Sequence, residues 1–267
     1  FPKWVLYLCT FLLFAANSLN IGADLGAMAK SAQLLYPNFS FNFLILFFAI
    51  FSLALQIFTS YDRYAKYLKW LALVLLAYVF SAIAANLDFG QLIASAVTPS
   101  FDFSKEQIFM ITAILGTTIS PYLFFWQTSQ EVEEQILVGK TTLKLRQVET
   151  TNKEIKDMRL DVWSGMFLSN LVMFFIIAAC GAVLYASGIT NIETAEQAAE
   201  ALRPIAGEAT YLLFAIGIIG TGLLTIPILA GSASYALSES FGWKYGLYRK
   251  LKEANAFYGV IIIATLI

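Results

Sequence analysis

Long apolar runs separated by polar stretches set the pattern of this chain: approximately 3–33, 41–60, 66–86, 106–132, 160–186, 209–238, and a last one near 256–267 that the end of the sequence cuts short. An α-helix needs roughly 20 apolar residues to cross a bilayer core, so the pattern predicts six complete spans and the start of a seventh. The polar stretches sort by charge. Lys3, Arg63, Lys66, Lys69, Lys140, Lys144, Arg146, Lys153, Lys156, Arg159, Lys244, Arg249, Lys250 and Lys252 fall on one side of the predicted spans, and only Lys30, Lys105 and Arg203 on the other. Cytoplasmic loops carry the excess of Lys and Arg, which places residue 1 on the cytoplasmic side. The expected fold class is all-α, with residues 1–267 forming one polytopic transmembrane transporter domain. The chain reads as an internal segment of a longer protein, because it opens on Phe1 and stops inside an apolar run.

One predicted span is interrupted at its middle. Within Gly116-Thr117-Thr118-Ile119-Ser120-Pro121-Tyr122-Leu123-Phe124-Phe125-Trp126-Gln127, proline and several polar groups occupy a stretch of membrane depth. Pro121 has no N–H to donate, and its ring crowds the carbonyl of Thr117 one turn back, so a helix here is expected to kink or unwind. In hydrocarbon such a break survives only where it is buried in protein or lines a watery cavity. Length points the same way: 106–132 as one straight helix would measure about 40 Å, against a core of roughly 30 Å. Broken helices of this kind form the binding sites of secondary transporters, where freed carbonyls and nearby hydroxyls coordinate a cation.

Other polar positions are sparse. In the first span, Asn17, Asn20 and Asp24 make a stripe at i, i+3 and i+7. A carboxylate at mid-membrane costs roughly 2.5–3.5 kcal/mol, so Asp24 is expected to face a cavity or a partner; the alternative is a solvated position near the helix end. Gly22 and Gly26 form a small-x-x-x-small pair that admits a close neighbour. The second and third spans read as scaffold, and the loop from Asn86 to Ser104 as an external connection re-entering the broken helix. Glu131, Glu133 and Glu134 read as a solvated cytoplasmic helix end, and 135–159 as a solvated connection. Ser169-Asn170 is the polar pair of the following span. Thr194 is expected to cap a short surface helix that Pro204 ends. The run 209–238, with its glycines and Ala230-Gly231-Ser232-Ala233-Ser234, reads as close helix packing. In a second reading, Thr221 and Thr225 line a pathway.

Composition narrows the chemistry. The chain is 59% hydrophobic and 13% charged, with a mean hydropathy of +0.71. It contains no histidine, which removes the commonest proton shuttle and the commonest transition-metal ligand. Cys9 and Cys180 lie in apolar runs without metal or disulfide spacing and read as buried small hydrophobes. An enzyme is not expected: an intramembrane aspartyl protease needs two facing carboxylates, and Asp24 is the one carboxylate placed well inside a span. No resident cofactor and no nucleic-acid partner are expected, while membrane lipid is.

The interrupted segment, the first-span Ile21-Gly22-Ala23-Asp24-Leu25-Gly26-Ala27-Met28 and the run from Leu213 to Ala236 together resemble the Nramp family of divalent-metal transporters, in its prokaryotic Nramp-related branch. The resemblance covers essentially the whole chain, from about the third to the ninth helix of a LeuT-type inverted-repeat bundle broken at Ser120-Pro121. It implies a bacterial inner-membrane protein that moves a divalent cation by alternating access. The Thr117 carbonyl and Ser120 are its implied metal ligands, and Asp24, Pro121, Tyr122 and Gln127 its implied pathway residues. Family members carry Met-Pro-His at the break, whereas Ser120 and Tyr122 flank the proline here. A hydroxyl is a hard ligand suited to Mg or Mn, where a thioether favours softer ions. Asp24 matches an acidic position linked to proton movement, but Ala27 stands where members have a glutamate and Gln127 where a second histidine often lies. The resemblance therefore implies transport of a hard cation, with proton coupling in question. The alternative is a LeuT-type carrier of a small organic solute such as an amino acid, whose carboxylate would take the free N–H groups after the break.

Overall fold

The computed structural model describes residues 2–59, 72–84, 87–98, 101–118, 121–185, 188–189, 191–194, 197–198 and 208–267. Among them every regular element is helical. In chain order these are α1 (Lys3–Leu35), α2 (Phe41–Phe58), a 3-10 turn (Ala72–Leu75), α3 (Leu76–Ala84), α4 (Phe89–Val97), α5 (Lys105–Thr118), α6 (Pro121–Leu137), α7 (Leu143–Glu149), α8 (Asn152–Ala179) with a π-helical end (Cys180–Tyr185), α9 (Glu208–Phe241) and α10 (Asn255–Leu266). Four helices among the described residues are long and apolar enough to cross a membrane: α1, α2, α8 and the Leu212–Phe241 part of α9. The run predicted at 66–86 lies partly outside the described residues, and the run at 106–132 is divided between α5 and α6.

Local chemistry sets the helix ends. Ser40 starts α2 by accepting from the Phe43 N–H, and Asp88 starts α4 by accepting from Gln91. At α8, Thr151 accepts from Glu154 N while Glu154 accepts from Thr151 N, so one reciprocal pair satisfies two orphan donors. Both α6 and α9 end in a left-handed glycine: Gly139 has φ 96° and Gly242 φ 69°. In each, the following N–H reaches back to the last turn, Lys140 to Gln135 and Trp243 to Ser238, both at 2.8 Å. A side chain at either glycine would strain the closure.

Helix α9 is the axis of the bundle and packs against α1, α3, α6, α10 and the 3-10 turn, most extensively against α1. Its glycines explain why. A Cβ at Gly217 would meet the Tyr78 ring at 2.8 Å, one at Gly220 would meet Val74 at 2.4 Å, one at Gly222 the Met28 sulfur at 2.2 Å and one at Gly231 the Trp126 ring at 2.2 Å. Each glycine is a notch filled by a neighbour, so the packing reading of 209–238 holds for this helix. Pro227 lies inside α9 without ending it. One core joins Ile21, Leu25, Phe48, Tyr235, Phe257 and Ile261 across α1, α2, α9 and α10. A second joins Tyr78, Val172, Ala179 and Phe214 across α3, α8 and α9.

Several expectations are corrected. Gly22 and Gly26 face open space, and Gly22 lines a cavity of about 520 Å³ between α1, α2 and α10, so no close helix uses that pair among the described residues. Cys9 is exposed and Cys180 half-buried, because an apolar run does not tell a protein-facing side from a lipid-facing one. Ser169 and Asn170 both donate back to the Met166 carbonyl, so the polar pair is satisfied by its own helix. The loop after residue 86 contains a helix, α4. Thr194 accepts from Gln197 N, but most of the helix expected there, with Glu196 and Pro204, lies outside the described residues. The connection 135–159 is ordered by Lys140, buried with its ammonium 2.8 Å from the Glu154 carboxylate.

Two outcomes follow from this packing. Gly217→Ala and Gly231→Ala should each lower thermal stability, overpacking of this kind costing about 1–3 kcal/mol, whereas Gly22→Ala and Gly26→Ala should stay within about 0.5 kcal/mol of the parent; equal losses at all four sites would contradict the assignment. Glu154 is held far below the usual carboxylate range, at about 2, chiefly by Lys140 and then by the Thr151 N–H. Because this pKa is depressed on folding, the contribution is present above pH about 4.5 and is lost as pH falls toward about 2. A spin label at Lys144 should report an ordered 143–149 segment at pH 5 and loosening toward pH 2; unchanged mobility would contradict it.

Candidate functional site

The predicted interruption falls between α5, which ends at Thr118, and α6, which starts at Pro121. Ile119 and Ser120 lie outside the described residues, as do the side chains of Thr117, Pro121 and Tyr122. The backbone is informative without them. The last four carbonyls of an α-helix lack partners inside it. The donor that Thr117 would need in a continued helix is residue 121, a proline with no N–H. The first N–H groups of α6 belong to Tyr122, Leu123 and Phe124. A few residues therefore carry both the negative end of one helix and the positive end of the next, an arrangement that can hold a cation or an anion.

The α1–α9 interface supplies the buried polar groups. Asp24, half-buried on α1, accepts from the Thr225 hydroxyl of α9 at 2.5 Å. Two turns earlier on the same face, Asn17 is 1% exposed and donates its amide to the Leu229 carbonyl at 2.9 Å. The Thr221 hydroxyl donates to the Gly217 carbonyl at 2.8 Å and lies 3.4 Å from the Tyr78 hydroxyl. A polar seam thus runs between the helices that pack most closely. Asn20, expected in the same stripe, is exposed, because the buried face of α1 runs through Asn17, Ile21, Leu25 and Met28, and Asn20 sits about 60° round the helix from Asn17 on the other side of it. Asp24 is not simply solvated. Its partner Thr225 carried only a weak sequence signal, the i, i+4 pair with Thr221 in a run otherwise explained by packing.

Gln127 and the acidic helix end lie elsewhere. The Gln127 amide donates to Glu131 at 3.0 Å, one turn on along α6. Glu133, expected on a solvated face, is 2% exposed. Its carboxylate accepts from the Tyr235 hydroxyl, from Leu247 N at 2.6 Å and from Tyr248 N at 3.0 Å. No sequence signal marked it, because its donors lie more than a hundred residues away. Glu134 is exposed, as expected. Among the described residues no three His, Cys, Asp or Glu side chains gather closely enough to hold a metal ion.

Comparison with known proteins bears on what this seam and break belong to. Residues 1–267 match the family model described as natural resistance-associated macrophage protein-like, Nramp. Among curated relatives, a divalent metal cation transporter MntH of Vibrio campbellii is 28% identical over 153 residues, covering 57% of this chain and 33% of that protein. The MntH of Aeromonas hydrophila is 23% identical over 191 residues, covering 70% of this chain and 44% of that protein. That of Caldanaerobacter subterraneus is 27% identical over 154 residues, covering 57% and 34%. The chain thus spans about a third to under a half of the length of these relatives. Matched by the family model along its entire length, this all-helical, multi-pass membrane protein belongs to the Nramp family.

Proposed function

We propose that the protein is a secondary transporter, not an enzyme, and that it carries a divalent cation by alternating access. The cation is cargo, not a resident cofactor. The observation that carries the reading is the whole-length family match; relatives named divalent metal cation transporters support it. The backbone break adds a physical reason. A Thr117 carbonyl with no donor at Pro121 is a hard oxygen, and the Ser120 hydroxyl beside it would be another, a donor set suited to Mn or Mg. Pro121 and Tyr122 open the inner half-helix, and Gln127 lies one to two turns further along it. Asp24, paired with Thr225 in the α1–α9 seam, provides the intramembrane charge on the route. We propose a LeuT-type inverted-repeat arrangement with residue 1 on the cytoplasmic face of the bacterial inner membrane, as the cation bias of the connections supports. With no histidine in the chain and Ala27 in place of a carboxylate, transport runs without obligatory proton movement.

Uptake into liposomes containing the full-length protein tests this. Mn should enter the lumen without acidifying it; proton influx matched to metal flux would contradict the uncoupled reading. Asp24→Asn should reduce flux about tenfold, the scale of losing a charged hydrogen-bonding partner, and Thr225→Val should reduce it less. Normal flux in both would remove the seam from the route. Ser120→Met should shift preference toward Cd, and unchanged selectivity would remove Ser120 from the coordination shell.

A further inference from the structure

Helix α6 is attached to the rest of the bundle in an unusual way. It starts at the break, and its extensive contact among the described residues is with one element, α9. Two features of that contact are specific. Near its start, Trp126 fills the Gly231 notch and packs edge-on against Tyr235, ring centroids 6.3 Å apart. Two turns later, Glu133 ties the helix to α9 through the Tyr235 hydroxyl and to the connection between α9 and α10 through Leu247 N and Tyr248 N. A buried carboxylate accepting three hydrogen bonds is a strong, directional tie, and leaving it unpaired there would be costly.

The connection is shaped to receive it. Gly246 has φ 121°, and a Cβ there would meet the Tyr248 ring at 2.4 Å and the Glu133 carboxylate at 3.1 Å. On its far side the connection is pinned by the Tyr258 hydroxyl of α10, which donates to the Arg249 carbonyl at 2.8 Å. Glu133 also walls a cavity of about 560 Å³ on this side of the protein, lined with Arg146, Glu239 and Lys244. The same carboxylate therefore fastens the half-helix and borders the space it would open.

We propose that Glu133 is a positioning residue of the transport cycle: it latches the inner half-helix α6 to α9 and the 242–254 connection, and release of this latch sets the rate at which the cytoplasmic mouth opens. The inference rests on the transport reading for its consequence but not for its geometry. Glu133→Gln retains one acceptor but turns an N–H toward a backbone N–H, and Glu133→Leu removes all acceptors. Tyr235→Phe and Gly246→Ala weaken the same tie without touching the carboxylate, and they stand in should Glu133→Leu fail to fold.

The experiment measures distances by spin labels at Val138 and Lys252 in a cysteine-free background of the full-length protein, together with Mn uptake into liposomes. The parent should show one dominant distance. Glu133→Leu should move about tenfold more of the population to longer distances, the scale of one hydrogen bond to a charged group, with Tyr235→Phe intermediate. Maximal uptake should rise, because the step that the latch slows becomes faster, while KM for Mn stays within about twofold, since a residue that acts on a conformational step changes rate without changing uniform binding. Unchanged distances in every variant would overturn the latch. So would a KM shift with distances intact, or lower thermal stability with uptake per folded molecule unchanged. Absence of Mn uptake by the parent would overturn the transport reading, whereas the distances test the latch whether or not an ion moves.

Discussion

The rest of the structure depends on how closely α9 can be approached. Side chains on four neighbouring segments occupy positions that a Cβ on α9 would fill, at Gly217, Gly220, Gly222 and Gly231. In a bilayer the lipid tails are as apolar as leucine, so helices gain by packing area rather than by escape from water. Small residues on one helix supply that area by letting the other backbones in. Here a single glycine-notched helix organises α1, α3, α6 and α10 around itself.

Close approach also decides where polar groups can survive. The Asp24–Thr225 and Asn17–Leu229 hydrogen bonds lie in the seam where α1 and α9 meet. Leaving any of these groups against lipid would cost several kcal/mol. The pairing explains how a carboxylate is tolerated at this position; it does not by itself make the carboxylate a ligand.

The long helices and the interruption were legible because each rests on local chemistry: run length for α1, α2, α8 and α9, and the missing N–H of Pro121 for the division of α5 from α6. The packing role of the α9 glycines was legible in kind, since a run of small residues has few other uses in a membrane helix. Which glycines are used was not. Gly22 and Gly26 have the same spacing signature as a helix contact, yet they face open space, because the signature records permission for contact and not the presence of a neighbour. Glu133 was misread for a related reason. A carboxylate near two others at a helix end looks solvated, and only the fold brings Tyr235, Leu247 and Tyr248 to it. Asn17 and Asp24 were found together by periodicity, while Thr225 needed the second helix in place.

The central proposal is that a helix broken beside Pro121 carries a hard divalent cation. Competition among Mg, Mn and Cd for uptake by the full-length protein in liposomes tests it most directly. The account predicts that Mg suppresses Mn uptake at concentrations comparable to those of Mn itself, with no advantage to Cd. Displacement by Cd at far lower concentration than Mg, or uptake of an amino acid in place of any metal, would contradict it.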